Sequence, residues 1–344
     1  MIKKEIWVVM FCLYLCVFSG CSKEYIKEEQ KYSQDIFAMD TYMTITAYGE
    51  EADTAVAKSI EEIQRLETLL SVTDESSEIY AINANGEGML SEDCIYLLER
   101  SLELYQDTKG AFNAAICPVM KEWGFLDDDF SVPGKEKLQE KLQLADVSKI
   151  AYNQGSRYIK FKKEGMAIDF GGIAKGYAST KIAEIYTDLG IKSGLINLGG
   201  NVQVVGRKTD GTKWNIAIQS PTDEQEYIGI LAAEDCAVVT SGGYERYFEQ
   251  DGVIYHHIID PLTGYPAENG LVSVSVVSSD GTLADGLSTA LFVMGKENAI
   301  QYWQKNSSVF DAILLMDDGT IYVTEGIAEA FSSKQEISII KKEE

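Results

Sequence analysis

The sequence predicts an α+β fold, a mixed α/β arrangement that forms a single catalytic unit with two lobes. Three observations point to it. Apolar residues recur at the helical period in some windows and alternate in others, so both helices and strands are present. The elements do not follow a regular strand–helix–strand order, which argues against a doubly wound sheet. From Ile36 to the end of the 344 residues, no Pro/Ser-rich linker, repeat or low-complexity stretch divides the chain.

Residues 1–20 read as a signal peptide. Lys3 and Lys4 precede an apolar run from Ile6 to Phe18, shorter than the roughly 20 residues that a membrane span needs. Phe18-Ser19-Gly20-Cys21 resembles a bacterial lipobox, with Phe18 standing where that pattern prefers an aliphatic residue. Cys21 would then be the lipidated first residue of the mature chain. The plain alternative is an ordinary signal peptide cleaved near Ser19. On the lipobox reading, residues 21–35 are a polar tether and the protein sits lipid-anchored on the outer, extracytoplasmic face of the cell membrane. The catalytic domain spans 36–335, and 336–344 is a charged C-terminal tail.

Within the domain, Tyr42 to Tyr48 alternates as a strand does. Val56, Ile60, Ile63, Leu66 and Leu70 lie at helical spacing, as do Ile95, Leu98, Leu102 and Tyr105, with Gly110 closing the second helix. Arg157–Phe161 and Gly165–Phe170 suggest a hairpin. Ile173–Leu189 is a helix, and Ser193–Asn197 and Val202–Gly206 are strands. Several short strands fall between Trp214 and Asp260, followed by a strand over Val272–Val277. Helices then occupy Leu283–Met294 and Glu297–Gln304.

Charge and cysteine usage narrow the function. A net charge of −24 repels a polyanion, so nucleic acid is not expected as a partner. A phosphorylated ligand would need local help from a helix start, a cation or a metal. Of six cysteines, Cys12 and Cys16 lie in the signal and Cys21 is the proposed anchor. The remaining Cys94, Cys117 and Cys236 form neither a disulfide framework nor a zinc pattern.

Three stretches carry candidate chemistry. Asp169-Phe170-Gly171-Gly172-Ile173-Ala174-Lys175 runs from a strand through two glycines into a helix, where backbone N–H groups favour an anion and Lys175 adds positive charge. A plain strand–turn–helix with a solvated Lys fits the spacing equally well. Asp285 and Thr289, four residues apart on a helix, put two hard oxygens on one face, a pair that suits a hard cation such as Mg²⁺. A capping Asp and a back-bonded Thr are the plain alternative. His256 and His257 are the only histidines, and in a strand they point to opposite faces. One of them is suited to taking a proton from a hydroxyl. Leu198-Gly199-Gly200-Asn201 reads as a tight connection between strands, and Met39-Asp40-Thr41 as the opening of the first strand.

Taken in order, these motifs resemble the ApbE family of FAD:protein FMN transferases, from about Phe37 to Phe331. Further matches are Ser76-Ser77-Glu78-Ile79, Gly110-Ala111-Phe112-Asn113, Ser241-Gly242-Gly243-Tyr244-Glu245-Arg246 and His257–Gly264. The resemblance implies that Met39, Ala111, Phe112, Asn113, Asp169, Lys175 and Ile259 contact FAD. It also implies that Gly172, through its carbonyl, Asp285 and Thr289 hold Mg²⁺, with Ser288 as an extra contact, and that His257 accepts the proton. The implied reaction moves FMN from FAD to a Ser or Thr hydroxyl of an acceptor protein and releases AMP. Acceptors of this family are flavoprotein subunits of membrane or extracellular redox systems. Two departures stand out: Asn113 where the family often has Asp, and Thr73 where it often has Tyr. FAD hydrolysis to FMN and AMP, and a non-catalytic FAD-binding lipoprotein, remain the competing readings.

Overall fold

The computed structural model describes residues 30–223 and 225–343, so Cys21 and the signal-like segment lie outside the described residues. Nine strands form one sheet in which every strand neighbours its predecessor. They are β1 (Lys31–Ala38), β2 (Thr41–Tyr48), β3 (Ser193–Leu198), β4 (Asn201–Gly206), β5 (Ala237–Gly242), β6 (Leu271–Ser278), β7 (Asp311–Met316), β8 (Ile321–Thr324) and β9 (Ile337–Ile340). All pairs are antiparallel except the last, β8 with β9.

Period-two alternation divides this sheet between two cores. Met43, Ile45, Val239, Val276 and Leu314 face three helices: α1 (Ala52–Leu70), α2 (Ala174–Asp188) and α3 (Gly281–Asn306). Val204, Val238, Ile313 and Leu315 face a three-stranded sheet of Trp214–Gln219, Tyr227–Ala233 and Phe331–Ser332. The α1 stripe predicted from spacing is real: Val56, Ile63 and Leu66 are fully buried, each contributing about 1.5–3 kcal/mol relative to exposure. A third cluster of Val119, Trp123, Phe125, Leu138 and Ile259 builds a small lobe against the hairpin Tyr247–Gln250/Val253–His256. The α+β class holds.

The structure corrects three sequence expectations. Gly165–Phe170 does not pair with Arg157–Phe161. Tyr158–Phe161 lies instead between Glu87–Met89 and Ile150–Asn153. Met166, Ile168 and Phe170 are buried, but the backbone of Ile168 bonds to the Asn83 side chain through both its N–H and its carbonyl, and the Asp169 N–H donates to the Ala114 carbonyl. The tether boundary at residue 35 moves back, because Lys31–Ala38 pairs along its whole length with β2. The tail boundary at 335 moves forward, because Ile337–Ile340 is a strand of the main sheet.

Candidate active site

A cavity of about 1120 Å³ opens where β1/β2, the starts of β4 and α2, α3 and the small lobe converge. Its floor is set by a close helix crossing. A Cβ at Gly176 would overlap the Gly281 carbonyl, so the glycine lets α2 and α3 approach backbone to backbone. That approach delivers Asp285 from α3 to the first turn of α2, where the Gly176 N–H donates to its Oδ2 at 2.7 Å. The helix start was expected to hold a ligand anion, and its anion is the chain's own carboxylate. Asp285 is 5% exposed, and burial pushes its carboxyl up to about 6 against the opposing pull of Lys175 and the α2 backbone.

Hard oxygen donors gather around this carboxylate. Thr289, one turn along α3, lines the cavity, and Gly172 lies against both Thr289 and the Phe112 ring. Ser241 on β5 bonds the Thr289 hydroxyl at 3.2 Å and that of Ser288 at 2.8 Å. Ser288 itself does not line the cavity; it is fully buried and donates to the Asp285 carbonyl, so the extra metal contact expected of it is not available. Gly172, Asp285 and Thr289 thus offer the few hard oxygens that suit Mg²⁺, which completes its shell with water and phosphate.

The wall of the same cavity carries His257. Strand Val253–His256 ends one residue before it, and its ring enters the cavity wall while His256 turns away against Phe292 and Gly243. The two histidines diverge as expected. His257 Nδ1 lies 3.0 Å from the Arg246 carbonyl, which only accepts, so Nδ1 bears the proton and Nε2 is left as a base. Packing around the ring, with Lys175 and Arg246 nearby, lowers its pKa to about 4. The small lobe fixes the following turn: Trp123 Nε1 donates to the Gly264 carbonyl at 2.7 Å, and Ile259 is buried in the same apolar cluster as Trp123.

The remaining predicted residues line the same cavity. Met39 is not strand but the turn of the β1–β2 hairpin. With Asp40 it adopts positive φ (47° and 59°), a conformation costly for these residues and typical of a site held by its surroundings. Its N–H donates to Glu67 on α1 at 2.6 Å. Asp169 accepts from the Gly171 N–H at 2.8 Å, and burial pushes its carboxyl up. Ala111 and Phe112 form part of the wall, and Lys175 stands in the first turn of α2. Asn113 is nearly spent: Oδ1 accepts from Ala115 and Nδ2 donates to the Ala145 carbonyl, so its amide closes the Ala114–Ile116 turn rather than reaching for a ligand. Thr73, the other departure, lies on the rim.

This constellation coincides with a family match over residues 39–314, to the model described as the ApbE family. The chain belongs to the ApbE family. The FAD:protein FMN transferase of Treponema pallidum (strain Nichols) is 32% identical, covering 93% of each chain. That of Klebsiella pneumoniae (strain 342) is 31% identical over 87% of this chain and 93% of its own. Among solved structures, the ApbE protein of Thermotoga maritima superposes with a TM-score of 0.82 at 31% identity, covering 88% of this chain and 99% of that one. The flavin transferase ApbE of Vibrio cholerae gives 0.79 at 25% identity, with the same coverage. Sequence reasoning assigned no role to three ApbE-family residues that line the cavity, Asn201, Ser241 and Glu245. They sit in glycine-bounded strand ends, whose side-chain direction emerges only once the sheet is assembled. Desolvation by the surrounding protein pushes the Glu245 carboxyl up against the pull of Lys175, and Asp285 adds to the rise.

Proposed function

We propose that this protein transfers FMN from FAD to a Ser or Thr hydroxyl of an acceptor protein and releases AMP. The observation that carries the reading is the convergence on one cavity of Asp285, Thr289 and Gly172 on its floor and a neutral His257 in its wall. Lys175 and the cavity wall bind and orient the FAD pyrophosphate, and Phe112, Met39 and Ile259 supply apolar contact for the flavin end. His257 Nε2 takes the proton from the acceptor hydroxyl, whose oxygen then bonds to the FMN-side phosphorus. The bond to the AMP phosphate breaks and AMP leaves with the bridging oxygen. Mg²⁺, held by Gly172, Asp285 and Thr289, would supply charge neutralisation on the pyrophosphate.

The test is mass analysis of an acceptor flavoprotein subunit incubated with the enzyme, FAD and Mg²⁺. FMN attachment that disappears in Asp285→Ala and in EDTA is expected. AMP release without attachment would make the protein a hydrolase, and attachment that survives both controls would remove the metal.

We further propose that Cys21 is lipidated and holds the domain at the outer face of the membrane, within reach of membrane-bound acceptors. The support is the signal-like segment that precedes it. Among the described residues no helix is long and apolar enough to cross a membrane. Incorporation of a labelled fatty acid should vanish in Cys21→Ser; an unlabelled wild type would reject the anchor.

A further inference from the structure

Among the described residues, Asn201 alone leaves both polar atoms of its side chain buried and unpaired, and it alone of the side chains with such atoms lines the cavity. It is 1% exposed. Its backbone is fixed on two sides, opposite Leu198 across the Gly199-Gly200 turn and opposite Val239 on β5. Both turn glycines have positive φ (65° and 88°), and a Cβ at Gly199 would overlap Thr41, so this turn cannot drift. The carboxamide lines the same cavity as the Asp285 carboxylate, with both of its polar atoms free for a partner there.

An amide buried with neither end paired is worse for folding than an apolar side chain of similar volume. Packing at this position would be served better by Leu. What an amide offers instead is a donor that can fix the direction of a neighbouring carboxylate, the service that residues behind metal ligands commonly perform. We infer that Asn201 is a positioning residue of the site, whose carboxamide orients the Asp285 carboxylate toward a divalent cation. The inference rests on the Mg²⁺-assisted FAD site proposed above.

The experiment is a flavin-fluorescence titration of FAD binding by the full-length protein, in EDTA and at rising Mg²⁺, for wild type, Asn201→Ala and the nearly isosteric Asn201→Leu. In both variants the Mg²⁺ concentration giving half of the affinity gain should rise about 10–100-fold. FAD affinity in EDTA should stay the same, and the Tm without FAD and Mg²⁺ should equal or exceed that of wild type. An unchanged Mg²⁺ midpoint overturns the inference. A lowered Tm in both variants also overturns it, since Asn201 would then serve the fold. A wild type whose FAD binding ignores Mg²⁺ would take down the parent reading, and this inference with it.

Discussion

His257 carries its proton on Nδ1 because the Arg246 carbonyl beside it can only accept. A base needs Nε2 free and the ring uncharged, and the surrounding protein supplies the second condition by lowering the pKa from 6.5 to about 4. Transfer by His257→Ala should therefore fall about 10²–10⁴-fold while FAD binding stays the same. His256→Ala, which removes packing against Phe292, should keep its rate. The reverse pattern would move the base to His256. Titration gives a second handle. A depressed folded-state pKa makes neutral His257 a source of stability that is complete above about 6.5 and is lost as pH falls toward about 4. His257→Gln should show a flatter loss of stability across that window in denaturant melts, and an identical slope would show that the ring titrates as it does in water. Much at this scale was legible: apart from Ser288, the site residues assigned from motifs line one cavity. What was not legible is which of them spend their polar atoms internally. Asn113 and Ser288 match the motif as candidates, yet their hydrogen bonds go to Ala115, Ala145, Ser241 and the Asp285 carbonyl.

Among the elements, the crossing of α2 and α3 does more for the site than either helix alone. Gly176 sets their spacing, and the spacing brings Asp285 to the α2 backbone. Gly176→Ala should lower stability by about 1–3 kcal/mol through overpacking and should blunt the Mg²⁺ dependence of FAD binding. Denaturant melts and FAD titrations read the two effects separately. A variant that loses stability but keeps its Mg²⁺ response would show that Asp285 is positioned by α3 alone. Periodicity located both helices, and the break near Gly295 was visible as the gap between Met294 and Glu297. The crossing was not visible, since a glycine inside a helix pattern does not say which backbone it lets in. The expected hairpin at 157–170 failed for a related reason. Alternating burial at Met166, Ile168 and Phe170 is what a strand would show, but Asn83 and Ala114 hold that backbone.

At the scale of the whole molecule, the α+β class followed from mixed periodicities. The sequential order of the nine-stranded sheet did not, because the 144 residues between β2 and β3 (49–192) give no hint that those strands are neighbours. Among the described residues that sheet does not close on itself, so its two outer strands each have a margin that no further strand covers. One lies along β1, which carries Lys31 and Asp35. The other lies along β9, whose Ile339 is 47% exposed and which is followed at once by Lys341 and Lys342. Charges at such margins discourage a second molecule from adding its own strand. Removing residues 337–344 would strip this guard and bare β8, whose Ile321-Tyr322-Val323-Thr324 carries no charge at all. The shortened protein should grow in scattering mass with concentration under conditions where the intact chain does not. Equal scattering would assign those last residues no protective part. The final strand, by this logic, keeps the enzyme from polymerising with itself.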